Sequence, residues 1–135
     1  RFSEVAPGPS GLRLPPDPDQ LAVLSYANLH NAGLERSRAT TLLEVCRRRN
    51  RIERLRERHP VDAMAALESI RGIGPWTVQL IAMRGLGHPD VFPARDLGII
   101  KALDALGCTD PIAAADAWRP WRSYATNLLW RSLSP

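Results

Sequence analysis

Apolar residues recur every three or four positions along most of the chain, which is the spacing of one buried helix face. No segment shows sustained alternation of apolar and polar residues between turns, so we expect no strands. The pattern predicts an all-α fold. Its helices are expected over about residues 19–31 (one or two short helices), 35–49, 52–59, 61–70, 76–84, 95–106, 111–117 and 120–131, with Asn50 as a break or bend.

A hairpin with two glycines separates the helices predicted over 61–70 and 76–84. Gly72 stands where the first apolar stripe ends, as a left-handed C-cap would. Gly74 keeps the turn free of a side chain. Pro75 suits the first turn of a helix, because a backbone N–H there has no intrahelical acceptor and its absence costs nothing. Such a turn lets a phosphate approach the backbone amides that follow it. The candidate phosphate-binding residues are Gly72, Ile73, Gly74, Trp76 and Thr77.

The tetrapeptide Gly-x-Gly-Pro is, taken alone, most often only a tight helical turn. Its context adds information, because a Gly/Pro-rich loop over 85–93 follows and Asp96 then opens the next predicted helix. An aspartate at that position is usually an N-cap. A carboxylate at a fixed offset from a phosphate-binding turn is also a candidate catalytic group.

These segments, in this order, resemble the signature of the helix-hairpin-helix DNA glycosylases. Residues 70–76 match the hairpin, 85–93 the loop and 95–99 the segment with the catalytic aspartate. Residues 118–130 are similar to the closing helix of one branch, the DNA-3-methyladenine glycosylase II or alkylation-repair type. The resemblance covers about residues 34–133. It implies a base-excision-repair enzyme that hydrolyses the N-glycosidic bond of alkylated purines in double-stranded DNA.

The same resemblance implies the residues of the site. Asp96 would be the catalytic carboxylate, which stabilises the oxocarbenium character of the breaking bond and orients a water. Trp76 and Trp130 would wall the pocket of a flipped base, and indole faces attract cationic purines. Leu80 replaces an aromatic residue of some relatives. On residue type alone, both tryptophans could instead be core residues.

Other side chains of functional types are given structural roles. We expect Trp118 and Trp121 to be packing residues, and Asp90 and Asp104 to be ordinary surface residues. Arginines are dense over 47–58 and four of them share a helical face that could follow a phosphate backbone. The interspersed glutamates favour a solvated face, so this run is not assigned to DNA.

Trp76 occupies the position at which bifunctional relatives carry a Schiff-base lysine. Lys101, the only lysine, lies further along its helix than Asp96. The resemblance therefore implies a monofunctional glycosylase that leaves the abasic site uncut.

No cofactor is expected to be required, but the resemblance implies that a monovalent cation, sodium or potassium, can bind the hairpin. The ligands would be the main-chain carbonyls of Glu68, Ile70 and Gly72. Arg71 stands where proline is common before the first hairpin glycine, so the carbonyl geometry is less pre-set.

Composition agrees with these expectations. A chain of 135 residues that is 44% hydrophobic can build a core, and a formal charge of +4 suits a polyanionic partner. Cys46 and Cys108 are too few for an iron–sulfur cluster or a four-cysteine zinc site, and we expect buried reduced thiols.

Residues 1–18 are rich in proline and glycine and predict a linker or extended segment, followed over 19–135 by a partial helical catalytic domain. The first helices and the DNA wedge of full-length family members are not recognisable before Leu34, so we expect a fragment incomplete at its N-terminal side. No signal peptide or long apolar run is present. We expect a cytoplasmic, nucleoid-associated bacterial protein, monomeric when complete.

Two alternatives stay open. One is a glycosylase for oxidised or mismatched bases. The other is a helix-hairpin-helix DNA-binding module without catalysis, for which Asp96→Asn would leave every activity unchanged.

Overall fold

The computed structural model describes residues 4–6 and 11–133, and its regular structure is helical. In those ranges the only β-type pairing is an isolated bridge between Val5 and Arg13, which confirms the all-α prediction. None of the described helices is long and apolar enough to cross a membrane. The elements are α1 (Pro18–Ala22), α2 (Tyr26–His30), α3 (Arg36–Arg47), α4 (Arg49–Glu53), a 3-10 helix (Arg54–Glu57), α5 (Pro60–Glu68), α6 (Pro75–Leu80), a π-helix (Ile81–Gly85), α7 (Leu97–Ala105), α8 (Pro111–Asp116) and α9 (Arg122–Ser132).

Two helix boundaries differ from the prediction in an informative way. The break after α3 falls at Arg48, and Asn50 lies inside α4, so the expected break at Asn50 is wrong by two positions. The helix predicted over 76–84 begins at Pro75 and changes at Ile81 from α to π geometry. Both changes depend on backbone hydrogen bonding, to which apolar periodicity is insensitive.

The described residues divide into two compact units. Unit 1 takes in the residues up to Glu57 together with Ser69–Ile73. Helices α1 and α2 pack on α3, whose predicted apolar stripe is buried. Burial raises the pKa of the Cys46 thiol above its ordinary value, so this thiol stays protonated. The core of unit 1 consists of Leu21, Leu29, Ala39, Leu43 and Cys46.

Unit 2 takes in Arg58–Glu68 and the described residues from Gly74 onward. Helices α7 and α9 pack together over the larger of its clusters. Trp118 contacts Phe92 edge-on at 5.8 Å between ring centroids, which confirms a packing role. Trp121 is 57% exposed, so the same expectation for Trp121 is wrong. The larger cluster comprises Phe92, Ile99, Ala102, Leu103, Ala115 and Leu129, and a second comprises Ala82, Met83 and Val91.

Candidate active site

Asp96 is the N-cap of α7. Its backbone is extended (φ −70°, ψ 128°), and its Oδ1 accepts the N–H of Ile99 at 3.1 Å. This bond satisfies one of the amides that a helix start leaves without an intrahelical acceptor. The capping role expected for Asp96 is confirmed, and it fixes the direction in which the carboxylate points.

Two indoles hold the same carboxylate. Trp76 donates its Nε1–H to Oδ2 and Trp130 donates its Nε1–H to Oδ1, each at 2.8 Å. The structure therefore brings together the three residues that the sequence singled out. The tryptophans meet Asp96 through their N–H edges rather than their ring faces, so each acts as a hydrogen-bond donor.

Hydrogen bonding decides the ionisation of Asp96. Partial burial by itself would raise the pKa of this carboxyl. Donors from Trp130, Trp76 and the backbone N–H groups of Ile99 and Gly98 outweigh burial and hold the pKa of Asp96 below its ordinary value. The group is a carboxylate at neutral pH.

Gly98 makes room for this arrangement. A Cβ at that position would lie 3.0 Å from Oδ1 of Asp96 and 3.1 Å from Cδ1 of Trp130, closer than side chains normally pack. Gly98 is not among the residues predicted from the sequence, although a glycine in the first turn of an apolar helix lowers helix stability and can indicate a position with a special packing role.

Trp130 is fixed on several sides, whereas Trp76 is accessible. Trp130 is partly buried against both clusters of unit 2, and the guanidinium carbon of Arg84 lies 4.9 Å from its ring centroid. Leu80 packs against the second of these clusters. Trp76 is 46% exposed. Of the two indoles, Trp76 therefore offers the more accessible aromatic surface to a ligand.

Asp90 ties the loop before Asp96 to α9. Its carboxylate accepts Nε and Nη2 of Arg122 at 2.6 and 2.9 Å, and Arg119 pairs with it at 3.0 Å. The hydrogen bond from Arg122 is the main cause that lowers the pKa of Asp90. The expectation that Asp90 is an ordinary surface residue is wrong, whereas Asp104 is exposed as expected.

Ser123 makes a second tie between the same loop and α9. Its hydroxyl donates to the carbonyl of His88 at 2.7 Å and accepts the N–H of Val91 at 3.0 Å. Its own N–H donates to the carbonyl of Pro89 at 2.8 Å. The first turn of α9 is thus joined to the loop, and the same helix carries Trp130 to Asp96.

The part of the hairpin that belongs to unit 1 depends on Gly72. Its φ is +90°, and a Cβ there would lie 2.0 Å from Oγ1 of Thr41, so only glycine fits. Because α5 already ends at Glu68, Gly72 lies beyond the helix end and is not its C-cap as predicted. The N–H of Ile73 donates to the carbonyl of Ile70 at 3.0 Å, which argues against this amide as a phosphate donor.

The part that belongs to unit 2 begins at Gly74, the N-cap of α6. Its backbone (φ −89°, ψ 170°) is open to any residue, and a Cβ would meet nothing within 4 Å. Protein packing therefore does not require glycine here. The amides of Trp76 and Thr77 lie in the first turn of α6, which no side chain caps.

Several known proteins are similar to this chain in sequence or in fold. No protein-family model matches the chain. It is 51% identical over 75 residues (53% of the chain, 15% of the relative) to a probable bifunctional transcriptional activator/DNA repair enzyme AlkA of Mycobacterium tuberculosis. It is 34% identical over 129 residues (87% of the chain, 45% of the relative) to a putative DNA-3-methyladenine glycosylase, YfjP, of Bacillus subtilis. DNA-3-methyladenine glycosylase 2 of Escherichia coli is 36% identical over 69 residues (51% and 24%).

A solved structure agrees with these relatives. The 3-methyladenine DNA-glycosylase of Archaeoglobus fulgidus superposes with a TM-score of 0.79 at 26% identity, over 96% of this chain and 47% of that one. The chain spans less than half the length of each protein that it matches here. From these similarities and the geometry around Asp96, the chain belongs to the helix-hairpin-helix DNA glycosylases, in their alkylation-repair branch.

Proposed function

We propose that this chain carries the catalytic site of a monofunctional base-excision-repair glycosylase that hydrolyses the N-glycosidic bond of alkylated purines, of the 3-methyladenine type, in double-stranded DNA. The observation that carries the proposal is Asp96, ionised and held by the N–H groups of Trp76 and Trp130. The names of the relatives, which are DNA-3-methyladenine glycosylases and a DNA repair enzyme, support it.

The hydrogen bonds leave one oxygen available for chemistry. Oδ1 accepts from Trp130 and Ile99, whereas Trp76 donates to Oδ2. A free lone pair on Oδ2 can face C1′ or orient the attacking water. Opposite unit charges about 4 Å apart at an effective dielectric near 20 attract by roughly 4 kcal/mol. That stabilisation of an oxocarbenium-like transition state corresponds to about a thousandfold in rate.

The two tryptophans have different roles in the proposed base pocket. Trp130, packed against both clusters, holds the carboxylate in place. Trp76 exposes almost half its surface and offers an indole face on which a base rotated out of the duplex can stack. An alkylated purine is already a good leaving group, so the site does not need a strong general acid. Leu80 would line the apolar side of this pocket.

DNA would approach at Gly74. The open space around this glycine and the uncapped amides of Trp76 and Thr77 support a phosphate contact there. The partner in this proposal is double-stranded DNA with one flipped base, bound by a monomer.

A monovalent cation at the hairpin belongs to the proposal as well, held by the carbonyls of Glu68, Ile70 and Gly72. The carbonyl of Ile70 accepts one hydrogen bond, from Ile73, and keeps a second lone pair for a cation. DNA affinity measured at equal ionic strength in potassium, sodium and tetramethylammonium chloride tests this. Equal DNA affinity in all three salts would contradict the proposed cation site.

The absence of an amine at Trp76 supports monofunctional chemistry. Lys101 is exposed on α7, one turn beyond Asp96. We expect release of free base with an intact abasic strand that breaks only on alkali treatment. Borohydride trapping of a protein–DNA adduct would contradict this.

Base release from a panel of duplexes tests the function. The intact protein is incubated with duplexes that carry an N3-alkylated adenine, an oxidised guanine or a mismatch, beside Asp96→Asn and the matched control Asp104→Asn on the same helix. The proposal predicts release of the alkylated base by the wild type and by Asp104→Asn, and its loss in Asp96→Asn. Release of only the oxidised or mismatched base would favour the glycosylase alternative. DNA binding without any release would favour the binding module.

A further inference from the structure

One face of Trp130 is already occupied by a cation. The guanidinium of Arg84 lies over the indole with its central carbon 4.9 Å from the ring centroid. This is within the range of a cation–π contact. The N–H edge of the same ring is bound to Asp96, so Arg84 and the candidate catalytic carboxylate are separated by about one indole ring.

The backbone places Arg84 at this face. Arg84 belongs to the π-helix, in which the N–H of Leu86 reaches the carbonyl of Ile81 at 2.9 Å, five residues back. The wider turn changes the direction of the side chains, and such turns are frequent at functional sites. Met83 beside it is buried in the cluster against which Trp130 packs, so the position of Arg84 is tied to that of the indole.

Nothing else in the described residues accounts for this position of Arg84. The residue is exposed, and within residues 4–6 and 11–133 its side chain makes no ion pair or hydrogen bond. An exposed arginine without a carboxylate partner usually extends into solvent, because ordering its side chain costs conformational entropy. The indole face is the interaction that holds it.

We infer that Arg84 sets the charge selectivity of the base pocket, disfavouring cationic purines relative to neutral modified purines. This inference rests on the proposed function. N3- and N7-alkylated purine nucleotides are cations. Stacked on Trp76, such a base would gain no cation–π attraction from the face of Trp130 that Arg84 occupies, and the guanidinium would repel it. A neutral base with an altered ring, such as 1,N6-ethenoadenine or hypoxanthine, meets no such repulsion and can stack on Trp76.

The size of the effect follows from the contact. An exposed cation–π interaction is worth about 0.5–1 kcal/mol, which corresponds to about a two- to fivefold change in rate. Removing the charge of Arg84 should therefore raise the ratio of excision rates, cationic to neutral, by about two- to fivefold. Cationic lesions remain substrates in the wild type, because their own leaving-group ability drives the cleavage.

Single-turnover rates on two duplexes test the inference, one with 7-methylguanine and one with 1,N6-ethenoadenine. The intact wild type is compared with Arg84→Met, which keeps length without charge, and with Arg84→Lys, which keeps charge. Arg58→Met is the matched control, since Arg58 is another exposed arginine of unit 2 with no ring contact. Both lesions are measured on one preparation, so a change in the folded fraction cancels from the ratio.

The expected result is a higher cationic-to-neutral ratio in Arg84→Met alone. An unchanged ratio in Arg84→Met, including an equal loss on both lesions, overturns the inference and leaves the proposed function standing. An equal rise in Arg58→Met also overturns it, because the effect would then reflect overall charge. If the wild type releases neither base, the proposed function fails first and the inference fails with it.

Discussion

Asp96 combines two roles that would compete in most sites. As an N-cap it accepts the N–H of Ile99 at Oδ1, which also accepts the indole N–H of Trp130, while Oδ2 accepts the indole N–H of Trp76. The capping hydrogen bond orients the carboxylate, and the hydrogen bonds from the two indoles favour its ionised form. A lone aspartate before an apolar helix is usually only a cap, and here the cap is what positions the reactive group.

The first prediction concerns the pH dependence that the indoles impose. The pKa of Asp96 is depressed in the folded state, so its hydrogen bonds stabilise the fold above the unfolded pKa, near 3.8. That stability is lost as pH falls through the lower folded pKa. In Trp130→Phe one donor is gone, so the acidic limb of the pH–rate profile should move to higher pH. Trp121→Phe, which removes an exposed indole, should leave the limb in place.

The measurement is the single-turnover rate of base release as a function of pH in both variants. A limb that stays in place in Trp130→Phe would mean that this indole does not tune Asp96.

A second prediction tests the space beside the carboxylate. Gly98→Ala would force Trp130 or Asp96 to shift by a few tenths of an ångström, weakening a hydrogen bond to a charged group. Such a bond is worth about 1.5 kcal/mol, so we expect roughly a tenfold lower rate. Gly85→Ala is the matched control, since its Cβ would make only an ordinary contact at 3.5 Å. Equal rates in the two variants would show that Gly98 is dispensable.

Sequence reasoning at the residue scale found Asp96, Trp76 and Trp130 but not their mode of contact. Helical spacing tells which face of a helix carries a side chain, whereas N–H edge contact depends on side-chain torsions and on the missing β-carbon of Gly98. The Arg84 contact was invisible for a similar reason, because a π-turn shifts the side chains away from regular helical spacing.

At the scale of elements, α9 is held at both ends. Asp90 and Ser123 tie its first turn to the loop before α7, and Trp130 bonds to Asp96 near its other end. Asp90 and Arg122 are separated by 32 positions in sequence, so no local sequence pattern predicts that they form a pair. From the sequence alone, Asp90 is therefore predicted to be a surface residue.

A third prediction follows from this tie. Asp90→Asn weakens a bidentate pair whose side chains are mostly buried, and should lower the free energy of unfolding in urea by about 1–3 kcal/mol. Asp116→Asn is the matched control, because Asp116 makes only an exposed pair with Arg119 and should cost less than about 1 kcal/mol. Equal losses in the two variants would contradict the role given to Asp90.

At the scale of the whole molecule, apolar periodicity predicted an all-α chain, because α3, α5 and α7 each bury one apolar stripe. The division into two compact units could not be predicted in the same way. The short segment Ser69–Ile73 belongs to unit 1 while the helices on either side of it belong to unit 2, and only tertiary contacts reveal that interleaving.

The formal charge of +4 gives a prediction about DNA at this scale. If the intact protein neutralises even two phosphates, raising salt from about 50 to 200 mM should weaken binding to an undamaged duplex by about tenfold. Fluorescence anisotropy with a labelled duplex measures this. A neutral polymer of similar size is the control ligand, and an affinity for DNA that does not change with salt would contradict electrostatic binding.

The most direct test of the central claim is the single-turnover rate at which free alkylated purine leaves duplex DNA, compared between the intact wild type and Asp96→Asn at neutral pH. The account predicts a loss of about a thousandfold in Asp96→Asn, from the removal of a unit charge near C1′, with DNA affinity retained. Equal release by the two proteins would contradict it.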